Sequence, residues 1–110
     1  MDKQIYELHA SMCKIFSNPL RLEILNILRN KEMTVSKIVQ LTKVHQASIS
    51  QNLSLMKTKG ILSSRKEGKN TYYKLSNQKI IQAFDIIRDV LYEQLKKKNK
   101  LAKELGRSRK

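Results

Sequence analysis

Cysteine, glycine, proline and tryptophan are nearly missing from this chain. Of its 110 residues, one is Cys, three are Gly, one is Pro and none is Trp. With Cys13 alone no disulfide can close within the chain. Neither a four-cysteine zinc site nor one of two cysteines and two histidines can be assembled from it. Aromatic residues are 5% of the sequence, so the core has to be largely aliphatic. Acid is scarce as well: 9 Asp+Glu stand against 23 Lys+Arg, a net charge of +14. Those few acids are scattered, without the paired carboxylates or metal cluster that a nuclease needs, so no enzyme is expected. No apolar run approaches the ~18 residues that cross a bilayer. The opening Met1-Asp2-Lys3-Gln4 has no basic stretch leading into an apolar one, so no secretory leader and a cytoplasmic location are expected.

What remains is small, basic and apolar enough to fold, with 40% hydrophobic residues. A chain this short buries only about two-thirds of its unfolded surface, so a partner chain would add useful burial. The charge is uneven. Residues 57–74 carry 6 bases and 1 acid, and residues 96–110 carry 8 bases and 1 acid, which accounts for most of the excess. Charge of this kind attracts polyanions and opposes compaction, so it calls for a functional explanation. Membrane-surface binding through the tail is disfavoured, because residues 96–110 offer only two Leu and one Ala as anchors.

Apolar spacing predicts a first helix carrying Ile5, Leu8, Met12, Ile15 and Phe16 on one face. Asn18-Pro19 is an N-cap followed by a first-turn proline, opening a strongly apolar second helix that should end near Asn30. Thr34 is placed to cap a short third helix, and Thr42-Lys43-Val44 reads as a turn that lacks the usual glycine. A fourth helix follows over 46–59, with Ile49, Leu53 and Met56 inward and Gly60 as its left-handed terminator. Beyond Gly60 the period changes to that of two strands around Glu67-Gly68-Lys69-Asn70, a hairpin turn. Asn77 then opens a last helix striped by Ile80, Phe84, Ile87, Leu91 and Leu95.

The expected fold is mainly α with a small β-hairpin, in the order α-α-α-α-β-β-α: a winged helix-turn-helix dimerising through its terminal helices. A single domain is expected over 1–105, with 1–16 and 77–105 as dimerisation helices and a disordered basic tail at 106–110. Three stretches in order, Ser17 to Leu25, His45 to Leu53 and Gly60 to Leu75, together resemble the ArsR/SmtB family of winged-helix repressors over about Phe16 to Leu75. Ser17-Asn18-Pro19-Leu20-Arg21-Leu22-Glu23-Ile24-Leu25 is similar to that family's A-x-P-x-R-L-x-I-L opening. His45-Gln46-Ala47-Ser48-Ile49-Ser50-Gln51-Asn52-Leu53 is similar to S-Q-S-x-V-S-H-H-L, and Gly60 through Leu75 to the family's G-L-V…R-x-G-R…Y-Y-x-L wing. The resemblance implies a dimer that represses transcription until an effector releases it. It does not supply the effector. Thr34 and Ser36 stand where many metal-sensing members carry thiolates, and no His occurs from Asn77 to Leu105. No metal or other cofactor is therefore expected; His9 and Cys13, spaced i, i+4, are left as the only candidate pair, with an ordinary structural role as the alternative.

Four candidate sets follow. Gln46, Ser48, Gln51 and Asn52 are candidate base readers, because amides and hydroxyls near the start of a recognition helix reach base edges in the major groove. Ser50, Lys57, Lys59, Arg65, Lys66 and Lys69 are candidates for backbone or wing contacts, with the wing over 65–71. Ile5, Leu8, Met12, Ile81, Phe84, Ile87, Leu91 and Leu95 are the candidate seam of a homodimer. The tail from Lys96 to Lys110 is either an additional backbone contact or a solvated helix end. Double-stranded DNA is the expected partner; the alternative is a winged-helix protein that binds DNA or RNA without sequence choice.

Overall fold

A computed structural model describes residues 2–108, which divide into one unit up to Gln78 and a second from Lys79. The first unit begins with α1 (Lys3–Ile15), whose N-terminus is capped by the Asp2 carboxylate accepting from the Gln4 amide. At α2 (Pro19–Ile27) the Asn18 side chain accepts from the amides of Leu20 and Arg21, at 2.9 and 3.2 Å, and Pro19 takes the first helical position. This helix ends at Ile27, a little before Asn30.

Between α2 and α3 (Val35–Thr42) the chain forms a strand the sequence does not announce, β1 (Met33–Thr34). Two residues leave no alternating pattern to read. Residue Thr34 closes that strand and caps α3, its hydroxyl accepting from the Lys37 amide at 3.2 Å. After α4 (Gln46–Thr58) come β2 (Leu62–Glu67) and β3 (Asn70–Leu75). The sheet is antiparallel in the order β1-β3-β2, so the expected hairpin has a third strand along its inner edge. Register runs from Leu62 opposite Leu75 to Glu67 opposite Asn70, and Thr34 lies opposite Tyr72.

Among the described residues, three take left-handed backbone. Gly60 (φ 78°) ends α4 and Gly68 (φ 62°) turns the hairpin, both as the sequence indicates. The third is Lys43 (φ 59°), which holds the turn between α3 and α4 without a glycine's freedom. The core is aliphatic: Ile24, Leu25, Leu28, Ile38, Ile49, Leu53, Met56 and Ile61 are at most 1% exposed. At roughly 1.5–3 kcal/mol for each fully buried aliphatic side chain, these residues supply the main driving force for folding this unit.

The second unit is α5 (Lys79–Ser108), a 30-residue helix about 45 Å long at 1.5 Å per residue. It passes through Gly106, where fraying is expected from the sequence. A glycine costs a helix only about 1 kcal/mol and ends it when it adopts positive φ, which Gly106 does not. The remainder of the expected tail, Arg109 and Lys110, lies outside the described residues.

Candidate nucleic-acid interface

The helices α3 and α4 with their three-residue turn form a helix-turn-helix, and burial fixes how α4 is rotated. With Ile49, Leu53 and Met56 fully inside, the opposite face presents Ala47, Gln51, Ser54 and Thr58, all exposed and spaced four, three and four. Gln46 is exposed in the first turn, while Ser48 and Ser50 lie half-buried on the flanks. No acidic residue occurs anywhere in α4. That leaves a surface of small, amide and hydroxyl groups with no charge to repel a phosphate. Ser54 and Thr58 are absent from the sequence-derived set; the inward i, i+4, i+7 positions, read outward, identify them.

Asn52 needs correction as a base reader. Its Oδ1 accepts from Arg21 Nε at 2.8 Å, and its Nδ2 donates to the Ser48 carbonyl at 2.8 Å. Both ends of the amide are engaged within the fold, and the side chain lies on the half-buried flank of α4. Arg21 also donates to the Ile15 carbonyl at 3.3 Å. One guanidinium thereby joins the end of α1 and the start of α2 to the recognition helix.

At the wing, one of the candidate cations is already paired within the fold. Arg65 is not a free cation: its guanidinium donates through Nε and Nη2 to the Glu32 carboxylate and through Nη1 to Glu67 Oε2 at 2.6 Å. It also lies over the Tyr72 ring, 4.6 Å from the centroid. Tyr72 is opposite Arg65 in the β2–β3 register, and in an extended strand Glu67 projects to the same side as Arg65, two residues back. The hydrogen bonds from Arg65 hold the Glu32 carboxyl below the ordinary carboxylate range, and both acids, Glu32 foremost, raise the guanidinium pKa still further. Sequence distance hides this contact, since Glu32 and Arg65 are 33 residues apart. An open cleft of about 570 Å³ is lined by Lys31, Glu32, Arg65 and Lys74 among others. Lys66 and Lys69 at the wing, and Lys57 and Lys59 at the end of α4, are exposed and form no ion pair among the described residues.

Large apolar side chains lie open on both terminal helices: Ile5, Leu8 and Met12 on α1, and Ile87, Leu91 and Leu95 on α5. Phe84 is half-buried, and Ile81 departs from the expected seam because it is already buried at 5% exposure. Cys13 and His9 are both exposed on α1. Among the described residues no three His, Cys, Asp or Glu side chains are grouped to hold a metal, and Thr34 uses its hydroxyl as a helix cap. No helix among them is long and apolar enough to cross a membrane.

A short helix, a turn, an outward helix without acids and a basic hairpin define a winged helix-turn-helix DNA-binding domain. The family model described as "Bacterial regulatory protein, arsR family" matches residues 18–64. An HTH-type transcriptional regulator of Methanocaldococcus jannaschii is 34% identical over 86 residues, covering 77% of this chain and 97% of that protein. The transcriptional repressor PagR of Bacillus anthracis is 35% identical over 72 residues, covering 64% and 72%. Its crystal structure superposes with a TM-score of 0.68 over 78% of this chain and 99% of PagR. The homodimeric winged helix-turn-helix domain of a possible ArsR-family regulator from Mycobacterium bovis gives 0.76 at 28% identity, covering 84% and 86%. The chain belongs to the ArsR family of winged helix-turn-helix transcriptional regulators.

Proposed function

We propose that this chain is a homodimeric, sequence-specific repressor acting in the cytoplasm by binding double-stranded DNA, and that its activity is binding rather than catalysis. Each protomer inserts α4 in a major groove, with Gln46, Gln51 and Ser54 toward base edges. Ser48 and Ser50 flank this face, and Lys57, Lys59, Lys66 and Lys69 grip phosphates beside it. The observation that carries the reading is the outward face of α4: polar, free of acids, and followed directly by a basic hairpin. A regulator named as a repressor, PagR, and a domain named as homodimeric are among the similar proteins, which supports both parts of the assignment.

The exposed apolar rows on α1 and on α5 are each offered to the dimer seam, since rows of open aliphatic side chains mark association surfaces. Two α4 helices on one face of a duplex sit about 34 Å apart, one helical turn, and read an imperfect inverted repeat. Selection of bound sequences from a random duplex pool tests the proposal. A recovered two-fold motif with half-sites one turn apart supports it. Recovery of no motif, with random duplex competing equally at near-physiological salt, would favour the alternative of binding without sequence choice.

A further inference from the structure

The second half of α5 reverses the charge of the first on the same face. At about 100° per residue, Lys96, Lys100 and Lys103 fall on the side of the helix that carries Asp85 and Asp89 earlier. The apolar row of Ile87, Leu91 and Leu95, continued by Leu105, occupies the opposite side. Solvated surfaces commonly intersperse both signs, which avoids a large single-sign field. From 96 to 108 there are instead six bases and one acid, and Lys96, Lys100 and Lys103 are exposed and form no ion pair among the described residues. The stripe spans about 10 Å of helix axis. Duplex DNA presents a phosphate charge about every 1.7 Å of its own axis, so a duplex laid along the stripe would offer it several.

We propose that the Lys96–Lys100–Lys103 face of α5 is a second nucleic-acid contact that takes the phosphate backbone of duplex DNA. This rests on the DNA-binding reading above and extends it to a surface outside the family match, which ends at residue 64. A duplex is favoured over single-stranded RNA because residues 96–108 contain no aromatic side chain on which an unpaired base could stack. The contact adds affinity without sequence preference and leaves base selection to α4.

The full chain carrying Lys96→Gln, Lys100→Gln and Lys103→Gln together tests this. Binding to a long random-sequence duplex is titrated across a salt series by fluorescence anisotropy. The expected result is at least a tenfold loss of affinity at low salt and a slope of log K against log salt shallower by about 2.7 per protomer, from three contacts of about 0.9 each. Charge-retaining Lys→Arg substitutions at the same positions keep the wild-type slope. An unchanged slope in the Gln variant overturns the proposal, as does an equal loss in the Arg variant, which would mark a structural role. Loss of binding to a single-stranded RNA with duplex binding intact also overturns it, in favour of RNA. If the wild-type chain binds no duplex at all, the DNA-binding reading itself fails; if the wild type binds and only the Gln variant is unaltered, the stripe alone is refuted.

Discussion

Arg21 and Asn52 are joined across 31 residues by a 2.8 Å hydrogen bond from Nε to Oδ1, and the same asparagine donates back to the Ser48 carbonyl in its own helix. An amide that is polar and well placed for adenine on sequence grounds is thereby committed to holding α4 against α2. Substitution of Asn52 by Ala leaves a half-buried guanidinium short of a partner and should cost about 1–3 kcal/mol of stability. The selected DNA motif should stay the same. A urea titration and a repeat of the binding-site selection check the two halves, and a changed motif would restore Asn52 as a reader.

Gln51 behaves oppositely. It is exposed at the centre of the outward face, and Gln51→Ala should change the selected motif at one or two positions per half-site, at about 1–3 kcal/mol each. The urea midpoint should barely move, because exposed substitutions away from caps and networks stay within about 0.5 kcal/mol.

Glu32→Gln releases Arg65 from its strongest partner. Duplex affinity should rise several-fold, with the salt slope steeper by about 0.9 per protomer as one more cation reaches phosphate. Acid should act in the same direction. Arg65 depresses the Glu32 pKa in the folded state, so the pair's contribution is complete above the ordinary carboxylate pKa and is lost as pH falls through the depressed value. The side-chain NMR signal of Arg65 Nε, followed from neutral pH downward, should shift in that acidic window; a flat titration counts against the pair.

Lys43 pays for a left-handed turn that a glycine would make freely. Lys43→Gly should stabilise the first unit by about 0.5–1 kcal/mol, and Lys43→Val should destabilise it by more, both read from thermal melts.

A charge in the middle of the exposed α5 row should separate protomers. Leu91, 52% exposed in the single chain, is the position to test: Leu91→Glu should halve the mass measured by sedimentation equilibrium and weaken DNA binding with it. A variant that stays dimeric would place the seam elsewhere.

Most of the fold is legible in the sequence, because its signals are local. Asn18 ahead of Pro19, Thr34 ahead of an apolar helix, and glycines at 60 and 68 each act within a few residues, and each takes the expected role. The face of α4 is legible for a related reason, since three inward aliphatics determine which side chains point away from them. Contacts between distant segments leave no such trace. The capture of Asn52 by Arg21, the neutralisation of Arg65 by Glu32, and β1, two residues long, depend on packing across about 30 residues or more. The burial of Ile81 is also unmarked, since its apolar spacing matches that of its exposed neighbours.

Thr34 faces Tyr72 across the sheet and also caps α3. A single residue is therefore at once a rung of the wing and the first hydrogen bond of the helix-turn-helix. The two grips on a duplex are not independently sprung. A groove that displaced the hairpin would load the residue that caps α3 as well. On the DNA-binding reading, the stiffness and width of the duplex beside the site should therefore bear on affinity as well as the bases that are touched.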